Sequence, residues 1–101
     1  MKNGAKTAGR GAALSRTVTI VNQRGLHARA AARFVREAER FDASVEVANG
    51  DTAVAGTSIM GLMMLAAAPG SSIRVHARGR EAAAALAALK ELVAGRFGED
   101  Q

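Results

Sequence analysis

From Leu14 to Asn22, Val18 and Ile20 alternate with Thr17 and Thr19, a period of two that predicts a half-buried strand. Gln23-Arg24-Gly25 interrupts it. From His27 to Phe41 the period lengthens to that of a helix. Ala31, Val35 and Ala38 form an apolar stripe with Phe34 and Phe41 beside it, and Arg29, Arg33, Arg36 and Arg40 share another face. Alternation returns at Ser44 to Ala48, with Val45 and Val47 inward. Asn49-Gly50 signals a tight hairpin, and Asp51 to Ala55 is the returning strand. Ser58 is placed to cap a short helix from Ile59 to about Ala66, and Pro69-Gly70 marks a turn. In Ser72 to Arg78, Ile73, Val75 and Ala77 alternate with Arg74, His76 and Arg78. Arg80 to Phe97 reads as an Ala-rich helix packing through Ala82, Leu86, Leu89 and Val93.

The order β-α-β-β-α-β-α predicts an α+β fold: a four-stranded, mostly antiparallel sheet with three helices on one face. A chain of 101 residues without an internal repeat supports one domain, over 14–97. Residues 1–13 are expected to be a disordered basic tail, and 98–101 a short C-terminal one. Composition adds that aromatics make up only 3%, so the core is built from Ala, Val, Leu, Ile and Met. The absence of cysteine excludes disulfide and thiol chemistry and fits a reducing cytosol. The longest apolar run, Ile59 to Pro69, is broken by Gly61 and falls short of the roughly 18 residues that span a bilayer. The first residues lack the apolar stretch of a secretory signal. The cytoplasm is the expected location.

The net charge of +5 divides unevenly. Lys2, Lys6 and Arg10 supply +3, leaving +2 for the rest. Within that rest, Arg16, Arg24, Arg29, Arg33, Arg36 and Arg40 crowd one stretch against only Glu37 and Glu39. Such asymmetry suits an acidic partner surface or an anionic group better than nucleic acid.

The candidate chemistry lies in Gly25-Leu26-His27-Ala28-Arg29, where a strand gives way to a helix. Helix starts leave backbone N–H groups without partners and carry partial positive charge, so they receive phosphate well. The electropositive end favours a neutral, nucleophilic imidazole at His27. The backbone of Ala28 and Arg29 could hold phosphoryl oxygens, and the Arg29 guanidinium could add charge-assisted hydrogen bonds. The same His equally reads as a turn residue. No carboxylate stands in a ligand-like register with it, so no metal or other cofactor is expected.

Gly25-Leu26-His27-Ala28-Arg29 resembles the phosphorylation-site signature of the histidine-containing phosphocarrier (HPr) family of the bacterial phosphotransferase system. Thr57-Ser58-Ile59-Met60-Gly61-Leu62-Met63 resembles the family's second signature, around a regulatory serine. The resemblance extends from Leu14 to Val93 and implies an open-faced β-sandwich. It implies that His27 takes a phosphoryl group on Nδ1 from enzyme I and passes it to an enzyme IIA. It also implies that Ser58 is a target of an HPr kinase/phosphorylase. Many members carry Pro after the active-site Arg, where this chain has Ala30. The resemblance leaves sugar transport and nitrogen-type regulation both open.

Docking on partners is expected through Arg24, Arg33 and Arg36 around an apolar patch of Ile59, Met60 and Met63, with Leu62 and Leu65 turned to the core. His76 is assigned to solvent, and the protein is expected to act as a monomer. The alternative from another class is a small basic RNA-binding module. It lacks support because Phe34, Phe41 and Phe97, the only aromatics, all fall on predicted helices rather than strands.

Overall fold

Runs rich in β-branched residues with alternating polarity become strands, and the Ala- and Leu-rich stretches with one apolar stripe become helices. The computed structural model describes residues 13–65 and 67–101. Its elements are β1 (Ala13–Thr19), α1 (Ala28–Ala38), β2 (Ser44–Asn49), β3 (Thr52–Ala55), α2 (Ile59–Met64), β4 (Ser72–Arg78) and α3 (Ala82–Ala94), followed by one turn at Arg96–Gly98. The expected basic tail lies outside the described residues except for Ala13, which instead opens β1.

The sheet runs β1-β4-β2-β3, and all three pairings are antiparallel. β4 is therefore central, and its alternation is the cleanest. Ile73, Val75 and Ala77 are buried against the helices, while Arg74 and Arg78 are exposed on the open face. His76 is half-buried there, opposite Ser15 on one side and Glu46 on the other, rather than free in solvent. α3 packs on β1 and β4, and α1 packs against α2 and α3. The largest fully buried side chains, Phe34, Phe97, Ile20, Leu62, Ile73 and Leu89, come from both layers and fill the space between them. Each such side chain contributes about 1.5–3 kcal/mol relative to exposure.

Several boundaries differ from the periodicity, α1 ending at Ala38 rather than Phe41 and α2 at Met64 rather than about Ala66 among them, and three further ones have a clear local reason. β1 stops at Thr19 because the chain turns inward at the fully buried Asn22, whose amide donates to the carbonyl of Gly25 at 2.9 Å. The β2–β3 loop is Gly50-Asp51, since Asn49 still pairs with Thr52. Gly50 supplies the positive φ (+62°) that this two-residue loop needs at its first position. α3 ends at Ala94 rather than Phe97. Beyond it Arg96, Phe97 and Gly98 all have positive φ (59°, 54° and 79°), so the chain reverses in a left-handed turn. For Arg and Phe that backbone costs about 1–3 kcal/mol each. Phe97, fully buried, offsets much of it.

Candidate functional site

The site is built at the start of α1. Gly25 has φ +68°, and a Cβ there would lie 2.5 Å from the carbonyl oxygen of Ala67. Only glycine permits this approach, which lets the Leu26 N–H donate to that carbonyl at 3.1 Å. The loop before α1 is thereby tied to the chain after α2. The His27 N–H turns back to the carbonyl of Gly25, and the first helical hydrogen bond runs from Ala31 N to His27 O.

His27 is the N-cap of α1, with φ −79° and ψ −179°. Its Nδ1 accepts the Arg29 N–H at 3.3 Å, in the position that Ser, Thr, Asp or Asn usually fills. The first turn holds no acidic side chain, so no carboxylate of α1 itself offsets its positive end. The N–H groups of Ala28, Arg29 and Ala30 have no carbonyl one turn back within the helix. The Arg29 side chain projects from the same turn and is exposed, and the His27 side chain is 23% exposed.

The opposite ring nitrogen meets a residue that the sequence reading set apart in a C-terminal tail. His27 Nε2 lies 2.5 Å from Glu99 Oε2. Glu99 Oε1 accepts from the Asn22 amide at 3.0 Å, so both carboxylate oxygens are engaged. Partial burial pushes the Glu99 carboxyl pKa up. The hydrogen bonds from Asn22 and His27 and the charges of His27 and Arg24 more than offset this and hold it below the usual carboxylate value. The ring thus stands between an electropositive helix start and a carboxylate. Neither Asn22 nor Glu99 was singled out from sequence. Glu99 is 72 residues from His27, and no periodicity marks it. The one available signal was Asn22 itself, a polar residue on the inward phase of the β1 pattern.

Beside the ring lies an open cleft of about 510 Å³ lined by Arg24, Arg29 and Arg33 and by Glu99, Asp100 and Gln101, among others. The Gln23 N–H donates to the Gln101 carbonyl at 2.8 Å, which holds the end of the chain against the site. Arg33 reaches over the C-terminal turn, so that a Cβ at Gly98 would lie 2.9 Å from its guanidinium. Arg36 is exposed further along α1. Among the described residues no group of three or more His, Cys, Asp or Glu side chains could hold a metal ion. No helix there is long and apolar enough to cross a membrane.

Ser58 caps α2, its Oγ accepting the Gly61 N–H at 2.9 Å. Leu62 and Leu65 are buried, while Ile59, Met60 and Met63 are exposed, Met60 to 70%. Met64, not anticipated as part of this patch, is exposed to 73%.

An open-faced α+β sandwich with a histidine capping its first helix beside arginines defines the class of small phosphocarrier proteins. Comparison with known proteins is specific. The family model described as "PTS HPr component phosphorylation site" matches residues 14–95. The phosphocarrier protein HPr of Neisseria meningitidis serogroup A is 46% identical over 88 residues, which cover 87% of this chain and 99% of that protein. The phosphocarrier protein HPr of Pseudomonas aeruginosa is 47% identical over 85 residues, 83% of this chain and 94% of that protein. The crystal structure of HPr-C-His from Thermoanaerobacter tengcongensis superimposes with a TM-score of 0.83 at 36% identity, covering 87% of this chain and 99% of that one. The chain belongs to the HPr family of phosphocarriers of the phosphotransferase system.

Proposed function

We propose that His27 is the residue that carries the phosphoryl group, taken from phosphorylated enzyme I and handed to an enzyme IIA. The observation that carries this reading is the placement of His27 Nδ1 at the N–H groups that open α1 and lack a partner within the helix, one of which, that of Arg29, it accepts, with the Arg29 guanidinium on the same turn. In the forward step Nδ1 gives up its hydrogen bond from the Arg29 N–H, and its lone pair forms a bond to phosphorus. The donor's bond to phosphorus breaks, and its electron pair stays with the donor. The new phosphoryl oxygens then lie where the N–H groups of Ala28 and Arg29 can hold them, and Arg29 adds charge-assisted hydrogen bonds. Transfer to the acceptor is the same step in reverse. Alignment and charge neutralisation account for most of the catalysis, so each partner can supply half of the site.

Docking is assigned to Arg24, Arg33 and Arg36 together with Ile59, Met60 and Met63, a basic rim around an adaptable apolar centre. Ser58 is assigned as a regulatory acceptor for an HPr kinase/phosphorylase. A phosphate there keeps acceptor oxygens for the Gly61 N–H, and its charge falls on a face meant for acidic partners. The protein works as a monomer in the cytoplasm. The RNA-binding alternative needs aromatics on the open sheet face, whereas Phe34 and Phe97 are fully buried and Phe41 lies just beyond α1.

Incubation with enzyme I and labelled phosphoenolpyruvate tests the assignment. The expected product is labelled, acid-labile and base-stable. His27→Ala abolishes the label, Ser58→Ala leaves it, and Arg29→Ala slows its appearance. Full labelling of His27→Ala would sink the assignment.

A further inference from the structure

We infer that Glu99 is a positioning residue for this transfer: backed by Asn22, its carboxylate keeps the proton of the His27 ring on Nε2 and so leaves the Nδ1 lone pair for phosphorus. The inference rests on the reading of His27 as phosphoryl carrier and adds a residue from the far end of the chain.

Two contacts fix the same tautomer independently. An ionised carboxylate only accepts, so the ring nitrogen 2.5 Å from Glu99 Oε2 must donate, and Nε2 carries the proton. A backbone N–H only donates, so Nδ1, facing the Arg29 N–H at 3.3 Å, must be the unprotonated nitrogen. Either contact alone would bias the ring; together they exclude the other tautomer while Glu99 is ionised.

Asn22 fixes the carboxylate in turn. Its side-chain amide faces the Gly25 carbonyl at 2.9 Å and Glu99 Oε1 at 3.0 Å, and both are acceptors. The NH2 group must therefore point at them, and a flipped amide would set oxygen against oxygen. Asn22 is fully buried, and among the described residues its Oδ1 accepts no hydrogen bond. An orphaned buried oxygen is retained here in an arrangement whose visible product is the aim of Glu99. The backbone points the same way. Arg96, Phe97 and Gly98 hold left-handed φ values, and Phe97 anchors them in the core, so the chain turns back and Glu99 reaches the ring.

The transfer step then needs no proton movement. As the Nδ1–P bond forms, the ring keeps its proton on Nε2 and becomes cationic, with the Glu99 carboxylate against it. As the bond to phosphorus breaks toward the acceptor, the pair returns to Nδ1 and the neutral ring is restored.

The test compares the intact protein with Glu99→Ala and Glu99→Gln, using ring nitrogen chemical shifts and labelling by phosphorylated enzyme I. In the unsubstituted protein the neutral ring should carry its proton on Nε2. Glu99→Ala should release a mixture of tautomers. Glu99→Gln should go further, because its single oxygen is claimed by Asn22 and its NH2 faces Nε2, which drives the proton to Nδ1. Labelling should slow in the order Ala, then Gln, with Gln about tenfold slower or more. Proton placement on Nδ1 in the unsubstituted protein overturns the inference, as does one tautomer ratio in all three proteins. Tautomers that shift as expected in proteins that never take label would uphold the positioning and fault the carrier reading of His27 instead.

Discussion

The geometry at His27 depends on a residue with no side chain. Gly25 has φ +68°, and a methyl group on it would meet the Ala67 carbonyl oxygen at 2.5 Å, a backbone atom that cannot swing away. Gly25→Ala is therefore expected to destabilise the fold by about 1–3 kcal/mol in urea unfolding. It should also slow labelling of His27, since relief comes by breaking the Leu26 N–H bond to Ala67. Unchanged stability would mean that this approach is not needed. Gly25, His27 and Arg29 were legible in the sequence because they are contiguous and sit where the period changes. Asn22 and Glu99 were not. A hydrogen bond between residues 77 apart leaves no trace in local patterning, and Glu99 in isolation reads as one more acidic residue near a chain end.

The same contrast holds for elements. The starts of α1 and α2 were legible, because His27 and Ser58 each precede a recognisable helical stripe. Ser58→Ala is expected to cost about 1 kcal/mol, read as a lower unfolding midpoint, by orphaning the Gly61 N–H. A loss within error would show that α2 is held by the burial of Leu62 alone. Helix ends were harder. Alanine and leucine give the stretch to Phe97 a helical propensity that Gly95, at the C-cap, argues against. Burial of Phe97 overrides it, bending three residues into the left-handed region. The hairpin shows a smaller case. Asn49-Gly50 announced the turn, but pairing of Asn49 with Thr52 shifts its centre one residue on.

On the scale of the whole molecule, the Asn22–Glu99–His27 contacts join the loop after β1 to the end of the chain, and that closure responds to pH. Burial raises the Glu99 carboxyl pKa, yet hydrogen bonds from Asn22 and His27 and the charges of His27 and Arg24 bring it below the ordinary 4.5. An unfolded chain has none of these partners, so between the two values it binds more protons than the folded one. Stability from Glu99 is then fully present above about 4.5 and is lost as the pH falls through the lower folded value. Urea unfolding of the protein and of Glu99→Gln, from neutral pH down through the carboxylate range, should show a gap that holds near neutrality and closes in acid. A constant gap would mean that Glu99 acts by shape rather than charge. A gap that widens in acid would contradict the direction of the shift. Closure in acid would tie the folding of the C-terminal turn to the charge that keeps the His27 proton on Nε2, so acid should free the end of the chain and undo the tautomer control together.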